Sequence, residues 1–390
     1  MVKTSVLKIH PDFVEENLLV EPAKVIREGG LVVFPTETVY GLGANALDPK
    51  AVKSIFEAKG RPQDNPLICH ISDYDDLNML VDHIPECAKA IAKQFWPGPL
   101  TMIFNKSKCV STEVSAGLNT VAVRMPANKI AQELIRLSGK PIAAPSANLS
   151  GKPSPTNFEH VECDMLGKVD IIIDGGQCDV GLESTVLDVS VWPPVVLRPG
   201  GITLEQLQSV VADIKLFEGH SVEISDLKEP VRSPGLRHKH YAPKADVYLL
   251  EGTYQEQIDI IQSYLKKTAL DCNTRKKTGF MISENVMKSL YKTIESFQTC
   301  SIPQFENFCF DEEIYPIMKT PNGKCVFKIV GKRDDLKSIA HELFKALRDL
   351  DELGVDIIIA ESFPEDGVGL AIMNRLSRSS GGKTINHLLF

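Results

Sequence analysis

The sequence predicts an α/β protein in two domains: an α+β domain on a mixed sheet over residues 1–212, and a smaller Rossmann-like α/β domain over 245–390, joined by a linker over 213–244. Three observations lead there. At 390 residues the chain exceeds one ordinary core. Its first two hundred residues carry many apolar runs of strand length, separated by short helical stretches without strict alternation, the pattern of a sheet of mixed direction. Beyond residue 245, strand and helix patterns follow one another in turn, as in a parallel sheet covered by helices.

The first domain reads as follows. Pro22 to Glu28 predicts a short helix with Pro near its start, leading through Gly29-Gly30 into the strand Leu31 to Phe34. Asp48 caps a helix that has Pro49 at its first position and continues through Ala58. Leu67 to Ile71 is a strand, and Ser72 caps a short helix. Pro85 to Phe95 is a helix stopped by Trp96-Pro97-Gly98-Pro99. Further strands are expected at Leu100–Phe104, Val121–Met125, Ile142–Ala144, Ile171–Asp174, Val186–Val189 and Val195–Leu197, with a helix at Leu204–Val211. In the second domain Asp246–Leu250, Gly279–Ile282 and Ile357–Ala360 read as strands. Tyr254–Lys266, Asp335–Leu353 and a segment near Leu370–Ser377 read as helices.

Composition narrows the function classes. A net charge of -8 does not attract nucleic acid as a whole, and residues 1–200 carry 19 Lys plus Arg against 24 Asp plus Glu, so RNA contact would need a local patch. The nine cysteines form no C-x-x-C pair, which fits a reducing compartment and neither zinc nor a disulfide framework. No apolar run approaches the roughly 20 residues needed to cross a bilayer, and the N-terminus has no secretory pattern. A cytoplasmic protein without membrane contact is expected.

Several strings could carry chemistry. Pro35 to Gly43 places Thr and Tyr hydroxyls and glycines directly after a strand, which suits a small polar ligand or a structural turn. Lys59-Gly60-Arg61-Pro62, followed by Asn65-Pro66-Leu67, sets two cations two residues apart, able to grip phosphates or to satisfy a helix end. Arg124 alternates with apolar residues on its strand. It therefore needs an anionic partner, either a ligand carboxylate or an internal Asp or Glu. Ala143 to Gly151, with Ser146 and Asn148, and Glu183-Ser184-Thr185 with Arg198-Pro199-Gly200 offer polar turns that admit close backbone approach. From Pro230 to Ala245 there is no acidic residue, while Arg232, Arg237, Lys239, Lys244, His238 and His240 cluster, so the linker is suited to meeting an anion. Gly381-Gly382-Lys383-Thr384 fails the P-loop pattern, because Ser377 stands where the first Gly is required. Asp311-Glu312-Glu313 reads as a solvated acidic loop rather than a metal site.

Taken in order, PTETVYGLG, KGRP, NPL, WPGPLT, VAVRMP, APSAN-x-SG, STV, RPG and SPG-x4-HYAP resemble the YrdC-like family of threonylcarbamoyl-AMP synthases. All but the last lie between Pro35 and Gly200. The last, with the C-terminal GVGLAIMNRL, extends the likeness to the long two-domain form. The resemblance implies a YrdC-like first domain and the reaction of L-threonine, bicarbonate and ATP to threonylcarbamoyl-AMP and pyrophosphate, with a separate transferase using the product to modify tRNA next to the anticodon. It implies that Thr38, His70, Arg124 and Ser184 hold threonine, and that Arg61, Asn65, Thr120, Ala144, Ser146, Arg198 and Tyr241 contact ATP. Lys59 and Asn148 assist, Lys59 and Arg61 as catalytic cations and Asn148 at ATP. Mg²⁺ is expected with ATP, since no carboxylate cluster is set aside for it. The linker would fold over the triphosphate as a lid. At Lys239 the charge beside the His-Tyr pair is Lys, without the bidentate fork an Arg would offer. Alternatives are an RNA-binding module of the same fold without catalysis, touching tRNA or double-stranded RNA weakly, a carbamoyl transferase of the hydrogenase-maturation type, which lacks support without paired cysteines, and an inactive scaffold.

Overall fold

Asp48 starts the most plainly marked helix of the chain. Its side chain accepts from the Lys50 N–H, Pro49 occupies the first helical position, and Gly60 ends the helix Pro49–Lys59 in the left-handed conformation at φ 60°. The same rules apply at Lys129–Ser138, with Asn128 at its start and Gly139 at its end. The computed structural model describes residues 2–217, 241–270, 276–296, 317–319 and 324–386. The chain divides into two units, Met1–His238 and Lys239–Phe390. Most of the expected linker and lid, including Lys239, lies outside the described residues, as does Asp311-Glu312-Glu313.

In the first unit the strands are β1 (Ser5–Lys8), β2 (Val32–Phe34), β3 (Gly41–Asn45), β4 (Ile68–His70), β5 (Leu100–Asn105), β6 (Thr120–Arg124), β7 (Ile142–Ala143), β8 (Ile171–Asp174), β9 (Thr185–Asp188), β10 (Val195–Arg198) and β11 (Lys215–Leu216). They form one 11-stranded sheet in the order β1-β8-β2-β3-β7-β4-β6-β5-β9-β10-β11, with parallel and antiparallel neighbours mixed. Helices Glu16–Arg27 and Lys129–Ser138 bury Leu19, Ile26 and Leu134 against Phe34, Ile142 and Ile173. The larger cluster gathers Ile55, Phe56, Cys69, Met102 and Val123.

The expected strands recur within a residue or two, and the exceptions have local causes. The first helix begins at Glu16, not Pro22, because Leu19, Pro22, Ala23 and Ile26 form one buried stripe at helical spacing, and that burial outweighs the Pro inside it. Asp73, not Ser72, caps the short turn Tyr74–Asp76. Pro35–Gly43 is only partly a turn, since Gly41–Asn45 is an antiparallel strand against Val32–Phe34. Glycine is needed there. A Cβ on Gly43 would lie 2.7 Å from both Ile142 Cγ2 and Phe34 Cε1. The sheet also runs past residue 212, where Lys215 and Leu216 pair with Val195 and Val196.

The second unit holds β12 (Asp246–Leu250), β13 (Thr278–Ile282), β14 (Ile317–Lys319), β15 (Cys325–Ile329), β16 (Ile357–Ala360) and β17 (Thr384–Ile385). Their order is β14-β15-β13-β16-β12-β17, parallel except at the β14 edge. Gly381 closes the helix Gly367–Ser380, and Thr384 begins an edge strand. The glycines before Lys383 therefore follow a helix, where a P-loop would precede one.

Gly43→Ala should destabilise the first unit by about 1–3 kcal/mol, since Phe34 and Ile142 are both buried and must shift. Chemical denaturation of the two proteins checks this, and an unchanged midpoint would contradict the close packing of β3.

Candidate active site

Arg124 ends β6, with His70 of β4 and Thr101 of β5 as its register partners on either side. Sheet pairing thus sets two of the expected threonine residues side by side. Arg124 is buried. Its Nη1 donates to Thr38 Oγ1 at 2.8 Å, and its Nε to the Gly98 carbonyl oxygen at 3.3 Å. Its Nη2 lies 2.8 Å from Glu37 Oε1. Of the two partners the sequence allows, the structure thus shows the internal carboxylate. The approach is poorly directed, however, and among the described residues Arg124 Nη2 and both Glu37 oxygens are shut off from solvent without a hydrogen-bond partner. Thr38 also shares a hydrogen bond of 2.8 Å with Thr36.

From Thr101 the site continues to Ser184. The two hydroxyls are 2.8 Å apart, and Arg198 Nη2 donates to the Ser184 carbonyl at 2.9 Å. Gly200 lets this turn close, because a Cβ there would fall 2.3 Å from the Thr185 nitrogen. Thr38, His70, Arg124 and Ser184 are thus brought into one contiguous set, joined to Arg198.

A second set forms around Ser146. Lys59 is buried, and its Nζ donates to the carbonyl oxygens of Ser146 and, at 2.5 Å, Asn148. Lys59 thus holds the backbone of the Ser146–Asn148 turn. Ser146 Oγ donates to Asn148 Oδ1 at 2.5 Å, and Asn148 Nδ2 holds the carbonyls of Leu149 and Lys152. The turn is tied to the Pro35–Gly43 segment through Leu42 N to Pro145 O and Ala147 N to Tyr40 O, each within 2.9 Å. Ala144 donates its N–H to Ile68, next to His70. Arg61 is half-buried, 3.4 Å from the Asn65 and Pro66 carbonyls, and Asn65 is buried. Thr120 lies at the opposite end of β6 from Arg124. Tyr241 belongs to the second unit, buried with its ring 5.1 Å from Phe344 and its backbone at φ 62°.

Sequence reasoning singled out neither Glu37 nor Thr101, although both lie inside quoted strings. The available signal was the placement of Glu37 amid small and apolar neighbours, where a carboxylate needs a cation. Burial, with the Arg124 charge beside it, lowers the His70 imidazole to about 3, so the ring is neutral, its Nδ1 donating to the Ile68 carbonyl. Burial pushes the Cys69 thiol up to about 12 and Cys178 upward as well, away from nucleophilic thiolate. Among the described residues no group of three or more His, Cys, Asp or Glu could hold a metal ion, and no helix is long and apolar enough to cross a membrane.

The structure thus sets a mixed α/β domain with buried cations and hydroxyls at its strand ends before a parallel α/β domain. Residues 24–200 match the Sua5/YciO/YrdC family model, described as telomere recombination, and residues 202–381 match the model described as the threonylcarbamoyl-AMP synthase C-terminal domain. The chain belongs to the threonylcarbamoyl-AMP synthase family. It is 45% identical over 372 residues to the Pyrococcus abyssi threonylcarbamoyl-AMP synthase, covering 95% of this chain and 96% of that one. The Bacillus subtilis synthase is 45% identical over 368 residues, covering 94% of each chain. The crystal structure of P. abyssi Sua5 complexed with L-threonine superposes with a TM-score of 0.82 at 44% identity, covering 98% of this chain and 99% of that one.

Because His70 is neutral when folded, the unfolded chain alone takes up its proton between about pH 6.5 and about pH 3, so His70 withdraws stability as pH falls through that window. Between pH 7 and pH 5 the wild type should lose about 2 kcal/mol more than His70→Gln. Urea titrations at both pH values decide it, and parallel losses would mean that His70 is charged in the fold.

Proposed function

We propose that this chain makes threonylcarbamoyl-AMP and pyrophosphate from L-threonine, bicarbonate and ATP, in the cytoplasm, for a transferase that modifies tRNA next to the anticodon. The observation that carries this reading is the contiguous set Thr38, His70, Arg124 and Ser184, in a family whose P. abyssi member is described with L-threonine bound. In this reading Arg124 takes the threonine carboxylate and the Thr38 and Ser184 hydroxyls orient the amino acid. A neutral His70 adds no second positive charge. ATP is assigned to Arg61, Asn65, Thr120, Ala144, Ser146, Asn148, Arg198 and Tyr241. Mg²⁺ comes as part of the nucleotide substrate.

The chemistry asks for positioning. Carbamate formed from the threonine amine attacks the α-phosphorus of ATP, the bond to the β-phosphate oxygen breaks, and pyrophosphate leaves. No protein nucleophile is consumed, in keeping with the buried Cys69 and Cys178 held as thiols. Arg198, fixed by the Ser184 carbonyl, and Arg61 provide cations near the developing charge. Lys59 acts at one remove, by fixing the turn that presents Ser146 and Asn148. The segment 213–244 is assigned to a lid, and the domains to residues 1–212 and 245–390.

Pyrophosphate release from ATP with bicarbonate should depend on L-threonine and fall strongly with serine or glycine; release from none of them, by folded protein that binds ATP, would overturn the reading. Within it, Arg124→Lys is a sharper variant than Arg124→Ala, which would strand the Glu37 carboxylate in the interior. Lysine keeps the charge and loses the fork. The threonine KM should rise about 10–100-fold with the ATP KM within about 3-fold. Equal rises in both would contradict the carboxylate assignment.

A further inference from the structure

We infer that Glu37 is the anchor for the ammonium group of the amino-acid substrate, and so the residue by which this enzyme tells an α-amino acid from the matching α-hydroxy acid. The inference rests on the threonine reading above and deepens it. It starts from an imbalance. Glu37 is 6% exposed, yet neither of its oxygens accepts a hydrogen bond, although an ionised carboxylate can accept about four. Among the described residues its close charge is Arg124 Nη2 at 2.8 Å, itself without a hydrogen-bond partner. Two ions out of water, attracted but not hydrogen-bonded, recover little of their desolvation cost. Buried polar groups are otherwise almost always satisfied, and exceptions concentrate where a ligand completes them.

The rest of the locality is satisfied. Thr36, Thr38, Thr101, Ser184 and Arg198 all have partners, and so do Nε and Nη1 of Arg124. What is missing is therefore narrow: donors for one carboxylate and an acceptor for one guanidinium nitrogen, 2.8 Å apart. A zwitterionic amino acid has that complement. Its ammonium offers three N–H donors and its carboxylate the acceptor. Inserted between Glu37 and Arg124, it would convert one poorly directed pair into two hydrogen-bonded pairs of alternating charge. Because the three unpartnered atoms are closed to solvent, binding must part the two side chains. Glu37 thus serves the free protein as the stand-in for the substrate carboxylate at Arg124. It serves the complex as the partner of the amine whose carbamate goes on to react. A hydroxy acid offers a single O–H in place of the ammonium and leaves the Glu37 charge uncompensated.

The test uses the full-length chain, isothermal titration calorimetry and two ligands, L-threonine and its 2,3-dihydroxybutanoate analogue, in which a hydroxyl replaces the amine. Wild type should bind threonine at least about 100-fold more tightly than the analogue. In Glu37→Gln the threonine affinity should drop by about 30-fold or more while the analogue changes by less than about 3-fold, collapsing the preference. A merely structural role, holding Arg124 in place, would weaken both ligands together through their shared carboxylate. That outcome overturns the inference and leaves the threonine reading intact. Wild type binding both ligands alike would overturn it without any variant, so the test survives a Glu37→Gln protein that fails to fold. Wild type binding neither would remove the threonine reading itself.

Discussion

The ion pair between Arg124 and Glu37 is the constraint around which the first unit is arranged. An arginine at the end of a central strand cannot be left uncompensated, and its requirements reach into four separate parts of the chain. Glu37 and Thr38 come from the segment after β2, Gly98 from the turn before β5, and His70 and Thr101 flank it in the sheet. The segment carrying Glu37 is in turn fastened to the Ser146 turn, which Lys59 fastens to the end of a helix. The charge on Arg124 is thus built into the same scaffold that positions the Ser146–Asn148 turn. Its neighbours follow from it electrostatically: a buried imidazole beside a fixed guanidinium stays neutral.

Lys59 and Arg198 show how cations in such a site divide their work. Lys59 reads from the sequence as a phosphate grip or a helix-end cation, and Arg198 as part of a polar turn that the resemblance assigns to ATP. In the fold Lys59 donates to two carbonyls of one turn, and Arg198 to the Ser184 carbonyl. A long side chain fixed in this way loses less freedom when substrate arrives, which favours preorganisation over reach. The glycines serve the same end. Gly200 admits the approach of the Glu183–Thr185 backbone, where any side chain would collide at 2.3–2.5 Å, and so sets the distance between the two strand ends that carry Ser184 and Arg198.

Much of this was legible in the chain because it depends on local rules. Asp48-Pro49 and Gly60 mark a helix by capping and by left-handed backbone, and Val32 to Phe34 marks a strand by unbroken apolar character. The family resemblance grouped Thr38, His70, Arg124 and Ser184; the sheet register sets His70 and Thr101 beside Arg124, and hydrogen bonds join Thr38 to Arg124 and Ser184 to Thr101. What escaped depends on distant partners. Glu16–Leu19 gave no sign of joining a helix until the stripe through Ile26 met the sheet. Gly41–Asn45 has the composition of a turn and becomes a strand because Phe34 and Ile142 leave room only for glycine. Glu37 and Thr101 were passed over for the same reason: their meaning lies in Arg124 and Ser184, 87 and 83 positions away, respectively.

The second unit gives the contrasting case. In a parallel sheet, a crevice opens where consecutive connections leave neighbouring strands in opposite directions, and ligands of doubly wound folds use it. Here that point falls between Thr278–Ile282, whose chain continues toward β15, and Ile357–Ala360, whose chain continues toward β17. The crevice is already filled. Glu361 is fully buried there, accepting from the Ser283 N–H at 2.6 Å and paired with Arg333, whose guanidinium lies over the Tyr254 and Phe363 rings at 4.9 and 5.5 Å. An internal carboxylate thus takes the place a bound anion would need, at the start of the helix Glu284–Ser296. In the first unit, by contrast, the Glu37 carboxylate and Arg124 Nη2 lack hydrogen-bond partners among the described residues. The two ion pairs therefore differ in the property that matters for binding: Glu37 with Arg124 lacks hydrogen bonds that a ligand could supply, and Glu361 with Arg333 has the Ser283 N–H as well.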